Sequence, residues 1–270
     1  MKGLKKLALE TMLIVALTTN FHTSHAQELE LPAQEDGLHN LEISDTEEYD
    51  IIPEEEKPII AIDAGHQAKG DLTKEPIGPG ATTQKMKVTY GTEGIATGLA
   101  EYELTLIVAQ KLEQELLARE YEVYMIRDHH EVDLSNAERA QMANEAQADI
   151  FIRIHANSFE ESSVKGAMTV CQTASNPYHS SLYEQSKSLS TYVLDEMVAA
   201  TGCKKRKVWE TDTMTGINWS QMPVTIVEMG FMSNPTEDRL MATEDYQNKM
   251  AEGMANGIDK YFMNQNSEAQ

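Results

Sequence analysis

The stretch Ile59-Ile60-Ala61-Ile62-Asp63-Ala64-Gly65-His66 constrains this chain more than any other. A continuous apolar run, bounded by a turn signal, suits a strand buried on both faces of a parallel sheet. Here the run stops at Asp-Ala-Gly and a histidine follows at once. The same grammar returns at Asp149-Ile150-Phe151-Ile152-Arg153-Ile154-His155-Ala156-Asn157, and a third run, Pro223 to Val227, delivers Glu228. In open α/β sheets, ligands gather outside the carboxyl ends of the strands. Three strands that end in metal-binding or acid/base side chains therefore predict one shared site, of zinc-hydrolase type.

The segments between these strands agree with that architecture. Glu101 to Glu120 reads as a helix, with Leu104, Ile107, Val108, Leu112 and Leu116 at the spacing of one buried face. Tyr121 to Arg127 alternates as a strand. Ser135 and Glu138 form a capping box that opens a second helix, to about Gln147. Gly166 to Gln172 reads as another strand, Ser180 to Thr201 as a long helix closed by Gly202, and Asn234-Pro235-Thr236-Glu237 as a further helix start. A last helix carries Met250, Met254, Ile258 and Phe262. Strands alternating with helices predict an α/β fold: a mixed, mostly parallel β-sheet flanked by helices on both faces, in a single catalytic domain. The first strand spans about Pro58 to Asp63, and the long connection that follows it to about Leu99, rich in Gly, Thr and Pro, reads as a loop that walls a substrate cleft.

The expected domain spans residues 58–265, with a tail at 266–270. Ahead of it, residues 27–57 are acidic and lack apolar periodicity, which reads as a flexible spacer. Residues 1–26 read as a signal peptide. Lys2, Lys5 and Lys6 precede an apolar stretch that ends in Ser24-His25-Ala26, and that stretch is shorter than the ~20 residues needed to span a bilayer. Glu10 within it opposes insertion, so an uncleaved anchor is the competing reading. The chain is expected to be secreted, extracellular or associated with the cell wall, with no membrane partner after cleavage.

A formal charge of −22 over 270 residues excludes a phosphate-neutralising nucleic-acid binder. The one basic cluster, Lys204-Lys205-Arg206-Lys207, reads as a solvated loop. Phosphate-loop, dinucleotide-binding, G-x-S-x-G and H-E-x-x-H motifs are absent from the sequence. Cys171 and Cys203 are compatible with one disulfide or with two free thiols.

Catalytic zinc takes three protein ligands and leaves one position open. His66 and His155 supply two, each near an Asp or Asn (Asp63, Asn157) able to orient an imidazole. Spacing favours Glu101, at the helix start, as the third, with Glu93 and Glu103 as rivals. Glu228, ending an apolar run, reads as a partly desolvated general base. Arg153 and Asn157 are weaker candidates for contacts to substrate. His129 and His130 lie in a charged run and read as surface residues, and His179 as a loop residue.

In order, Ile62-Asp63-Ala64-Gly65-His66, Glu101, Arg153-Ile154-His155-Ala156-Asn157 and Val227-Glu228-Met229-Gly230-Phe231-Met232-Ser233-Asn234-Pro235 resemble the zinc-dependent N-acetylmuramoyl-L-alanine amidases of type 3, which are bacterial cell-wall hydrolases. Ile126-Arg127-Asp128 and Ser135-Asn136-Ala137-Glu138-Arg139 agree with the same pattern. The resemblance implies one Zn²⁺ on His66, Glu101 and His155, with Glu228 as the catalytic glutamate. It also implies peptidoglycan as partner and cleavage of the amide between N-acetylmuramic acid and L-alanine. Two departures stand out: Ala64 and Gln67 occupy places where relatives commonly carry Pro and Gly. The segment Cys171 to Ser181 is too short for the inhibitory helix of some relatives, which implies a site needing no obligatory activator. A non-catalytic peptidoglycan-binding relative and a zinc peptidase acting on the stem peptide are the alternative readings.

Overall fold

The computed structural model describes residues 57–268, so the expected signal peptide and the spacer up to residue 56 lie outside the described residues. In chain order the elements are β1 (Ile59–Ala64), β2 (Asp71–Pro76), β3 (Gln84–Val88), α1 (Glu101–Ala118), β4 (Glu122–Met125), α2 (Asn136–Glu145), β5 (Ile150–Asn157), β6 (Ala167–Cys171), a 3₁₀ turn (Ser180–Leu182), α3 (Tyr183–Thr201), β7 (Lys205–Glu210), α4 (Thr215–Asn218), β8 (Val224–Phe231), α5 (Pro235–Met241) and α6 (Glu244–Glu268).

Six strands form one sheet in the order β4-β1-β5-β8-β6-β7. The first four run parallel, and β6 meets β8 antiparallel. The sheet is therefore mixed and mostly parallel, as the sequence predicts. Its inner strands, β1, β5, β8 and β6, are buried on both faces. Ile60 and Ile62 of β1 point into a core shared with Leu104, Leu112, Val193 and Ile258 of α1, α3 and α6. Ala61 points the other way, into a second core with Ala140 and Ala143 of α2 and Ile217 of α4. Continuous apolar runs follow from that double burial, since successive side chains alternate between faces and neither face meets water.

Local signals set several helix ends. Ser135 Oγ accepts the Glu138 N–H at 3.2 Å, and Glu138 Oε2 accepts the Ser135 N–H at 2.8 Å, which closes the capping box of α2. Asn234 caps α5 through the N–H groups of Thr236 and Glu237. Gly202 ends α3 in the left-handed region.

Several expectations are corrected. The 65–99 connection contains an antiparallel hairpin, β2–β3, whose alternation is masked by exposed polar residues on both strands. The basic cluster is not a solvated loop: Lys205–Glu210 is the edge strand β7 beside β6. Lysines on an edge strand hinder pairing with further strands, so charge there is compatible with β-structure. Lys205 pairs with Asp195, and the Arg206 guanidinium lies 5.2 Å from the Phe231 ring centroid. Helix α6 runs through Glu268, beyond the expected domain edge at residue 265. Both cysteines are free, Cys171 being buried. Strands β5 and β8 continue past His155 and Glu228 to Asn157 and Phe231.

Candidate metal centre and active site

The parallel pairing of β5 and β8 sets His155 directly beside Glu228, and the pairing of β1 and β5 sets Asp63 beside Arg153. Beyond the β5–β8 pair the register shifts, with Asn157 opposite Phe231. The bulge lies next to the site, where such irregularities re-aim side chains. His66 lies just past β1 with φ 62°, a left-handed conformation uncommon for a non-glycine residue.

Helix α1 delivers Glu101 at its first turn. Glu101 Oε1 stands 3.1 Å from His66 Nε2 and 3.2 Å from His155 Nδ1. One donor atom from each of the three residues falls within 4.8 Å of the others. Ligands held at ~2.0–2.2 Å around one tetrahedral ion stand about 3.3–3.6 Å apart, so the donor set fits a divalent metal. Among the acidic candidates, Glu101 is the one within ion-pair distance of both histidines. Glu103 instead receives the Ala100 N–H within the helix cap.

The remaining valences of the donors are occupied in a way that orients them. His66 Nδ1 donates to the Thr89 carbonyl at 2.8 Å, which turns Nε2 towards Glu101. Glu101 accepts the Ala156 N–H on Oε1 and the Thr92 N–H on Oε2. Burial alone would raise the Glu101 carboxyl. Hydrogen bonds from the two imidazoles outweigh it and hold the group well below the usual carboxylate range. Burial likewise holds the His155 imidazole below its ordinary value, hence neutral and able to ligate.

Two glycines make room for this cluster. A Cβ on Gly65 would stand 2.3 Å from His155 Cε1. Gly91 has φ 90°, and a Cβ there would stand 2.6 Å from Glu101 Oε2 and 3.0 Å from His66 Cδ2.

Asp63 does not orient an imidazole, contrary to the expectation. It is fully buried and bridges Arg139 at 2.6 Å and Arg153 at 2.9 Å. Burial raises its carboxyl, but the two guanidiniums prevail and hold it well below its ordinary value. Arg139 also donates to the carbonyls of Ala64 and His66 and to Gln67 Oε1. Arg127 donates to the carbonyls of Ala64 and Gly65. Two buried guanidiniums thus grip the turn that carries His66. Their signal was present in the arginine-bearing segments around 127 and 139, but nothing local in the sequence reveals where those arginines reach.

Glu228 shares a cleft of about 270 Å³ with His66 and His155. Its Oε2 is buried and has no hydrogen-bond partner among the described residues. Burial, and then the neighbouring Glu101 charge, push its carboxyl up to about 8. Arg153 also lines the cleft, but it is 3% exposed, with Nε on Asp63 and a terminal nitrogen on Asn136. Asn157 lies outside the cleft lining. Its side-chain Oδ1 accepts the Ser158 N–H, and its side-chain Nδ2 lies 3.9 Å from Met168 Sδ. The β2–β3 hairpin walls the opposite side through Lys85 and Met86.

A family model described as N-acetylmuramoyl-L-alanine amidase matches residues 60–260. The chain belongs to that family. It is accordingly a peptidoglycan amidase, and the family span coincides with the sheet and its covering helices. Among individual relatives it is 30% identical to YqiI of Bacillus subtilis, covering 71% of this chain and 92% of that one. It is 28% identical to the N-acetylmuramoyl-L-alanine amidase LytC of the same organism over 76% of this chain, yet it spans only 39% of LytC. In structure it is similar to the catalytic domain of CwlV, an N-acetylmuramoyl-L-alanine amidase from Paenibacillus polymyxa, with a TM-score of 0.62 and 28% identity over 76% of this chain and 98% of that one. Ami1 of Mycobacterium smegmatis shares the fold, with a TM-score of 0.69 over 77% of this chain and 98% of that one, at 23% identity.

Proposed function

We propose that the chain is an exported enzyme that holds one Zn²⁺ on His66 Nε2, Glu101 and His155 and hydrolyses the amide between the lactyl group of N-acetylmuramic acid and L-alanine. The observation that carries this reading is the convergence of those three donors at a cleft that His66 and His155 line together with an unpartnered, desolvated glutamate, Glu228. Zinc, when bound, supplies Lewis acidity for the scissile carbonyl and the attacking water.

The protein's own groups do the rest. Glu228 lies beside His155 across the β5–β8 pair and takes a proton from the water as it attacks. The same carboxyl passes that proton to the departing nitrogen of L-alanine. The products are a lactyl carboxylate on the sugar and a free L-alanine amino terminus. A glutamate raised towards neutrality in the metal-free chain is suited to both steps, because a nearby cation brings it back to the ionised form needed for the first. Thr89, through His66, and the Ala156 and Thr92 amides, through Glu101, keep the donors aimed.

Residues 1–26 serve as the export signal and residues 27–57 as the spacer in this reading. Among the described residues no helix is long and apolar enough to cross a membrane. No residue between Gln172 and Leu182 lines the cleft, and that segment holds only a 3₁₀ turn, which supports activity without an activator. The test is to incubate the purified chain and zinc with isolated peptidoglycan while new L-alanine amino termini and new reducing sugar ends are assayed in parallel. New L-alanine termini without reducing ends, lost in Glu228→Ala, are expected. Release of stem-peptide fragments instead would make the enzyme a peptidase. An unaltered wall in the presence of bound zinc would make it a binding protein.

A further inference from the structure

Building on the amidase reading, we propose that Lys85 determines substrate specificity: its ammonium receives a free carboxylate on the peptide side of the scissile amide. Stem peptides whose residue after L-alanine retains its α-carboxylate are then cleaved in preference to the same peptides with that group amidated.

Lys85 is an exposed residue of β3 that lines the cleft with His66, His155 and Glu228. Its Nζ donates to the Thr213 carbonyl at 2.9 Å, and among the described residues no carboxylate lies within ion-pair distance of it. An uncompensated cation is unexpected in a chain of net charge −22. The two acids nearest in register and sequence are engaged elsewhere. Glu75, opposite Lys85 in the hairpin register, turns its carboxylate to the Ala137 N–H at the start of α2. Asp212, next to Thr213, accepts from Thr173 and Asn176. The other cation of the cleft, Arg153, is already paired with Asp63.

The ammonium is also held in place. The turn between β2 and β3 is pinned to the α4 region, with Trp219 Nε1 donating to the Pro76 carbonyl and Asn218 Nδ2 to the Ile77 carbonyl. Met86 and Met214 add apolar walls that strengthen a charge–charge contact. A positioned ammonium with no anionic partner of its own favours a ligand that brings the anion.

The substrate chemistry says where that anion sits. The sugar side of the scissile amide presents neutral hydroxyl and acetamido groups. On the peptide side, L-alanine is followed by D-glutamate joined through its γ-carboxyl, which leaves the α-carboxylate free, whereas amidation replaces it with a neutral carboxamide. One ammonium at that subsite distinguishes the two forms by charge alone. A partly solvated ion pair favours the acid form by about five-fold.

The experiment uses the purified full-length chain with zinc and two N-acetylmuramoyl stem peptides that differ only in the α-carboxylate or α-carboxamide after L-alanine. The acid is expected to have the higher kcat/KM by about five-fold, through KM, and added salt should shrink the ratio. Lys85→Met should bring the ratio near one and Lys85→Arg should keep it, with circular dichroism verifying the fold of both. Equal kcat/KM for the two peptides in the wild type, or an unchanged ratio in Lys85→Met, would overturn the role of Lys85 while leaving the amidase reading intact. Cleavage of neither peptide would overturn the amidase reading. Titration of both peptides into Glu228→Gln then decides on Lys85 independently, equal affinities counting against it.

Discussion

Replacing Asp63 with asparagine tests the claim that a buried ion triad supports the metal site. Asp63 and Arg139 are fully buried and Arg153 nearly so, with contacts of 2.6 and 2.9 Å to the carboxylate. Removing one partner of such a pair leaves the other charge buried and uncompensated, at a cost of about 3–5 kcal/mol. The asparagine keeps one acceptor oxygen, and Arg139 keeps its bonds to the Ala64 and His66 carbonyls, which places Asp63→Asn at the low end, about 3 kcal/mol. For a domain of this size that corresponds to a fall in Tm of roughly 6–12 °C. Because Arg139 also orients the turn bearing His66, zinc affinity should fall by about 10–100-fold. Acid sharpens the test. A carboxyl depressed in the folded state contributes stability that is present above its ordinary value of 3.8 and disappears as the pH falls through the folded value. Urea titrations of the metal-free proteins at several pH values should therefore show a constant gap between wild type and variant above about pH 5, narrowing below 3.8. A gap under about 1 kcal/mol at neutral pH, or one that widens on acidification, would refute the argument.

Further outcomes follow from the same geometry. Glu228→Gln should lose at least about 10²-fold in kcat. It should also stabilise the metal-free chain at pH 7 but not at pH 4: a carboxyl raised to about 8 costs stability from its ordinary 4.5 upward, and melting curves of the two proteins at both pH values check this. His155→Ala should bind less than one equivalent of zinc by elemental analysis, and stripping zinc from the wild type with a chelator should abolish hydrolysis until the metal is restored. Gly91→Ala must accommodate both φ 90° and a Cβ pressed on Glu101 Oε2, so it should weaken zinc binding, read by competition with a chromogenic chelator; full retention of affinity would contradict the close packing.

The strands β1, β5 and β8 were legible because burial on both faces demands unbroken apolar runs, and a polar residue that interrupts such a run announces itself. The capping box at Ser135 and the glycine at 202 were legible because they act within a few residues of chain. The hairpin inside the 65–99 connection was not, because its outer faces are polar and its one deeply buried acid, Glu75, is satisfied by α2 rather than by the hairpin. The edge strand β7 was hidden by its lysines, since the sequence does not say which strand will have a neighbour on one side only. Asp63, read as a helper to His66, serves Arg139 and Arg153 instead, residues 76 and 90 positions away.

The sequence by itself thus determined the layered α/β architecture and the candidates His66, His155, Glu101 and Glu228, because periodicity and caps act locally. Only the tertiary structure decided which acid meets the two histidines, which arginines hold the turn bearing His66, and that Lys85 lines the cleft with no carboxylate paired to it. Those facts depend on strand register and on contacts between residues far apart in the chain, and neither leaves a mark on local sequence.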